Sequence, residues 1–116
     1  MKKLMFAAVA ASFAFAAAPA LADAAIEAYA ANTVVATGAN GAVLKFHFNT
    51  DGSYTMKAGD QAVPGRWAVE NNQFCLTPQG GEKSCSPHSA TRKIGDTWAV
   101  TGADGVQYSV TLVVGR

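Results

Sequence analysis

The sequence predicts a mainly β protein: a short N-terminal helix, then a small antiparallel meander of about seven or eight strands, closed as an up-and-down barrel or strongly curled sheet. Three observations carry this. Apolar and polar residues alternate in stretches over much of the chain beyond residue 33. Three turn signals join such stretches, and each sets the flanking apolar residues opposite one another on a single face. A sheet with one apolar face must curl, because a flat one leaves that face wet and its edges unpaired.

The chain of 116 residues opens with a segment foreign to this sheet. Met1-Lys2-Lys3 leads into an apolar run from Leu4 to Ala18, broken only by Ser12. Pro19 closes the run, and Ala20-Leu21-Ala22 precedes Asp23. A charged start, an apolar middle and an A-x-A exit are the pattern of a secretory signal peptide. The expected organisation is a signal peptide over residues 1–22 and a single small β domain with a short N-terminal helix over residues 23–116. The expected location is bacterial export, periplasmic or secreted. No membrane attachment is expected after cleavage, since no second apolar run is long enough to span a bilayer.

Residues 23–31 favour a helix, because Asp23 suits the N-terminus and Ala and Glu are strong helix formers. Ile26 and Tyr29 or Ala30 fall on one face, enough to dock it. Asn32 ends the helix, and Thr33 begins the β region. In residues 43–49, Leu44, Phe46 and Phe48 share a face and Lys45, His47 and Asn49 take the other, with His47 expected in solvent. A three-residue turn at Thr50-Asp51-Gly52, with Gly52 left-handed, sets Phe48 opposite Tyr54. Asn71-Asn72 suits a two-residue turn because asparagine tolerates positive φ. It pairs Val69 with Phe74 and Trp67 with Leu76, leaving Cys75 on the outer face level with Ala68. A second three-residue turn, Ala103-Asp104-Gly105, pairs Val100 with Tyr108 and Trp98 with Val110.

Cys75 and Cys85 are the only cysteines, and in an exported chain an even count reads as a disulfide. So short a loop gains about 2–3 kcal/mol from the bridge in the chain-entropy account. A hairpin symmetric about Gly80 would oppose the two cysteines, but also Leu76 to Ser84 and Phe74 to Ser86, a poor core. The expectation is therefore a partly irregular crossing segment tied by the disulfide. A further strand is expected where Ala90, Arg92 and Ile94 alternate.

Composition narrows the function. Without Lys2 and Lys3 the chain carries seven basic and eight acidic residues, a formal charge of −1, so no nucleic-acid partner is expected. The sequence contains no G-x-S-x-G, H-E-x-x-H, P-loop, G-x-G-x-x-G or C-x-x-C-H motif. His88 lies close to Cys85 in sequence, but a cysteine nucleophile needs a free thiolate, which a disulfide removes. Asp51 and Asp104 precede turn glycines, and Asp60 and Glu82 lack a histidine at ligand spacing. No catalytic residue, metal site or cofactor is expected. Trp67 and Trp98 are expected to fill the interior rather than line a ligand pocket.

The stretches FHFNTDGSYTM (residues 46–56) and GRWAVENNQFCL (residues 65–76), with Cys85, resemble a set of small exported bacterial proteins. These share a D-G-[ST]-Y hairpin, a G-x-W and a Cys-bearing strand followed by a second Cys. Asn32-Thr33-Val34 is similar to the N-T-[VI] that opens the first strand in that set, so the resemblance covers most of residues 32–86. It implies no activity. In size, single disulfide and barrel form the chain is also similar to periplasmic inhibitors of secreted metalloproteases and of lysozyme. The protease inhibitors insert an extended N-terminal arm, where this chain favours a helix. The lysozyme inhibitors present Ser-Gly-x-x-Tyr, where Asp104 here replaces the serine before Gly105 and Tyr108.

The expected function is a non-enzymatic periplasmic binding protein whose partner, a protein or small ligand, meets loops at a barrel end. The alternatives are an inhibitor of an exported hydrolase, protease or lysozyme, and a carrier of a small apolar ligand. The expected contact surface is the segment 79–88, with Glu82, Lys83 and His88 as candidate contact residues.

Overall fold

The computed structural model describes residues 23–116, so the expected signal segment over residues 1–22 lies outside the described residues. Asp23 starts helix α1 (Ala24–Ala31) as its N-cap: Oδ1 accepts the Ile26 N–H at 2.8 Å and the carbonyl accepts the Glu27 N–H at 3.0 Å. Ala25, Ile26 and Tyr29 form its buried side. Asn32 stops it, donating from its amide to the Ala28 carbonyl and accepting the Gly115 N–H at 2.9 Å. Arg116 donates to the Ala30 and Phe48 carbonyls, placing a cation at the negative end of the helix.

Eight strands follow: β1 (Thr33–Gly38), β2 (Val43–Phe48), β3 (Ser53–Ala58), β4 (Gln61–Glu70), β5 (Gln73–Pro78), β6 (Ser84–Pro87), β7 (Thr97–Thr101) and β8 (Gln107–Val113). They form one antiparallel sheet in the order β6-β5-β4-β3-β2-β1-β8-β7. Because β1 pairs with both β2 and β8, the sheet runs round as an up-and-down barrel does, nearly closed, with β6 and β7 as its two edges. The helix covers one end. Tyr29 reaches Phe48 of β2, Phe74 of β5 and Trp98 of β7 at ring-centroid distances of 5.9, 5.5 and 6.1 Å, so it ties together both sides of the β6–β7 seam.

The three hairpin registers follow from their turns. Phe48 faces Tyr54, Val69 faces Phe74, and Val100 faces Tyr108. Asn71 and Asn72 take φ of 52° and 62°, the paired left-handed residues that a two-residue hairpin turn requires. The alternating positions that the sequence turns inward, from Leu44, Phe46 and Phe48 through Trp67 and Phe74 to Tyr108 and Val110, belong to the core or pack against it, as do Met56 and Leu112. Val34, Ala36 and the helix complete that core.

The stretches Asn49–Tyr54 and Gly65–Trp67 meet as one unit. Trp67 donates its backbone N–H to Gly52 and its indole Nε1–H to the Asn49 carbonyl at 2.8 Å, while Arg66 reaches the Asp51 carbonyl at 3.2 Å. Gly65 lies opposite Tyr54, whose ring occupies the space a Cβ at residue 65 would need. Glycine there is a packing requirement.

Two expectations are corrected. The segment after Pro78 is no irregular crossing: β5 and β6 form a regular hairpin with Cys75 opposite Cys85, Leu76 opposite Ser84 and Phe74 opposite Ser86. The bridge between the cysteines and the left-handed Gly80 fix that register despite its poor apolar match. No strand forms over Ala90–Ile94, which lies in an irregular connection from β6 to β7. Two interactions take the place of strand pairing there: the Ala25 N–H donates to the Ala90 carbonyl at 3.0 Å, and the Arg92 guanidinium lies 4.1 Å over the Trp98 ring.

Candidate ligand-binding cavity

Strand polarity places the β2–β3, β4–β5 and β6–β7 connections at the helix-covered end. The β1–β2, β3–β4, β5–β6 and β7–β8 turns lie at the other. Between these ends is a cavity of about 390 Å³. Its floor includes Tyr29, Phe48, Phe74 and Trp98; toward the other end it is bounded by Pro78, Glu82, Ala103 and Asp104. Leu44, Phe46, Met56, Leu76, Trp98 and Val100 point inward yet remain only half-buried, because they face this space. The aromatics therefore do not fill the barrel, as the sequence led us to expect. Trp67 is packed and takes no part in the lining, whereas Phe74 and Trp98 form part of a wall.

The missing volume has a local origin. On β6 the inward positions are Ser84 and Ser86, opposite Leu76 and Phe74 of β5, and both serines line the cavity. Two small side chains stand where a filled barrel would carry large ones. With Glu82 before them and His88 after, they form a polar row with period two along an otherwise apolar wall. Lys83, Cys85 and Pro87 alternate outward.

His88, expected on the contact surface, has a side chain only 7% exposed. Its Nε2–H donates to Asp23 Oδ2 at 2.8 Å, and its ring stacks on Phe74 at 5.9 Å. Nδ1 is buried and makes no hydrogen bond among the described residues. Asp23 therefore serves twice, capping α1 with one oxygen and holding the end of β6 with the other. Lys83 lies on the outer face, where its Nζ meets Glu70 at 2.9 Å across β5. Glu82 is exposed and borders the cavity. Of the three candidate contact residues, then, Glu82 and His88 line the cavity and Lys83 does not.

Cys75 and Cys85 form a disulfide on the outer face, with 4.0 Å between their Cα atoms, so neither sulfur is a free thiolate. His47 lies outward as expected, but half-buried: Thr33 Oγ1 donates to the Gly115 carbonyl at 2.7 Å and accepts from His47 Nε2 at 3.1 Å. Burial first, and then Arg116, Lys57 and Lys45, hold its pKa below the ordinary histidine value. At the floor, burial pushes the Tyr29 phenol up to about 12, so it is neutral at ordinary pH. Among the described residues no group of three His, Cys, Asp or Glu side chains is placed to hold a metal, and no helix is long and apolar enough to cross a membrane.

Sequence reasoning missed Ser84 and Ser86 and read Asp104 as a turn residue alone. The available signal was the alternation Glu82, Ser84, Ser86, His88, polar at every second residue through β6 and its two flanks. In comparisons with protein-family models, curated proteins and solved structures, nothing matches this chain.

Proposed function

We propose that this protein is an exported binding protein that holds a small apolar ligand inside its barrel. The observation that carries this reading is the cavity of about 390 Å³, walled by inward apolar side chains left half-buried. Ligand pockets occupy about 300–1,000 Å³ and pair mostly apolar walls with a few placed polar groups. Here those groups are the β6 row and the tyrosines. An apolar ligand would make dispersion contacts with Leu76, Phe74, Trp98 and Val100, all of which line the cavity. Export to the periplasm or beyond is supported by the N-terminal pattern of residues 1–22 and by a disulfide suited to an oxidising compartment. Within the segment 79–88 expected as a contact surface, Glu82 borders the mouth, and the disulfide holds that side of the opening in shape.

The test uses N-phenyl-1-naphthylamine, an uncharged dye that fluoresces in apolar surroundings, added to the folded disulfide-bonded protein. Saturable enhancement with one dye per chain, lost when Val100 is replaced by tryptophan in a variant that still folds, is the expected result. Absence of saturable binding, or binding unaffected by the tryptophan, would refute it.

A further inference from the structure

We infer that the ligand is an organic cation, an apolar body carrying an ammonium group, held with its charge at the mouth between Glu82 and Asp104. This deepens the proposed function and rests on it. Glu82 lies in the β5–β6 turn and Asp104 in the β7–β8 turn, at the end of the barrel opposite the helix and on the two sides of the seam. Both border the cavity, and among the described residues no lysine or arginine does. The nearest candidate for neutralising Glu82 is its neighbour Lys83, whose ammonium is turned to the outer face and engaged by Glu70. Asp104 is held in position: Oδ1 accepts the Val106 N–H at 2.9 Å and Oδ2 accepts the hydroxyl of Tyr108, itself a wall residue, at 3.2 Å. Arg92 lies at the far end, over Trp98, and does not border the cavity.

The sign of this arrangement decides between ligand classes. A fatty carboxylate entering tail first would leave its charge beside two carboxylates with no cation in the wall. An ammonium in the same place is compensated, and its donor hydrogens meet acceptors on both sides. The apolar body meets Leu76, Phe74 and Trp98, and the Ser84 and Ser86 hydroxyls accept further donors along one edge. The four residues of β6, Ser84–Pro87, run about 13 Å from the mouth beside Glu82 to the floor beside His88, so a single medium-length chain fits between mouth and floor.

The experiment compares decylammonium, decanol and decanoate, each below its micellar concentration, as displacers of bound N-phenyl-1-naphthylamine at low salt. Decylammonium is expected to displace the dye at about tenfold lower concentration than decanol, and decanoate to be the weakest. In the double variant Glu82→Gln, Asp104→Asn, with folding checked by thermal melting, the ratio of decylammonium to decanol affinity falls to about one. Asparagine keeps the turn acceptor at residue 104. Decanoate binding as tightly as decylammonium, or a preference that persists in the double variant, would overturn the inference while leaving the cavity reading intact. Failure of the dye to bind at all overturns the cavity reading, and this inference with it.

Discussion

Ser86→Leu should stabilise the protein while weakening ligand binding. Ser86 points inward on an edge strand, opposite Phe74, and borders the cavity. A leucine there adds apolar carbon where the wall has none and displaces no packed neighbour. Full burial of a leucine side chain is worth about 1.5–3 kcal/mol; half of that, for a cavity open at one end, leaves a gain of about 1 kcal/mol. Urea unfolding should show a raised midpoint at unchanged slope. The melting temperature should rise by about 4–8 °C, as expected for a domain of this size. N-phenyl-1-naphthylamine affinity should fall by about tenfold or more, because the same volume cannot be filled twice. The opposite sign is the refutation. If the space were already packed, the larger side chain would force its neighbours off their rotamers and cost about 1–3 kcal/mol.

Replacing both Cys75 and Cys85 by serine should lower stability by about 2–3 kcal/mol in urea titrations. Dye binding should weaken as well, since β6 spans only Ser84–Pro87 and is paired on one side alone. Gly65→Ala should cost about 1–3 kcal/mol by the same titration, because its methyl group meets the Tyr54 ring, and Gly65→Ala with Tyr54→Leu should recover part of the loss. Trp67→Ala, which also removes the hydrogen bond to Asn49, should cost about 3–5 kcal/mol. Alkaline pH should destabilise the fold: with Tyr29 at about 12 and Tyr54 also raised by burial, the unfolded chain loses its phenolic protons first. That stability is complete below the ordinary tyrosine value near 10 and is lost as pH rises toward 12. The urea midpoint should therefore drop between about pH 10 and about pH 12, and Tyr29→Phe should flatten the drop.

The hairpins were legible because two kinds of information coincide in them. At Thr50-Asp51-Gly52 and Asn71-Asn72 the turn chemistry fixes the loop length, and the flanking Phe48–Tyr54 and Val69–Phe74 pairs agree with it. The helix was legible from Asp23 and the alanine run. The second half of the disulfide hairpin was not, because Ser84 and Ser86 contradict the rule that inward residues are apolar. Judged as core, that register is wrong; judged as the wall of a cavity, it is what leaves the space open. Local reasoning tends to fail where function makes its own demands on a sequence. The connection over Ala90–Ile94 misled for a different reason. Its weak alternation reflects Arg92 lying over Trp98 and Ile94 facing solvent, contacts that depend on the assembled fold.

The most direct test of the account is where a bound ligand touches the protein. Intermolecular NOEs from N-phenyl-1-naphthylamine to methyl-labelled protein separate the barrel interior from the exposed apolar residues. The account predicts contacts to Leu44, Met56, Leu76, Val100 and Val110, all on the cavity wall, and none to Val43, Ile94, Val113 or Val114 on the outside. Contacts confined to that outer set would contradict it.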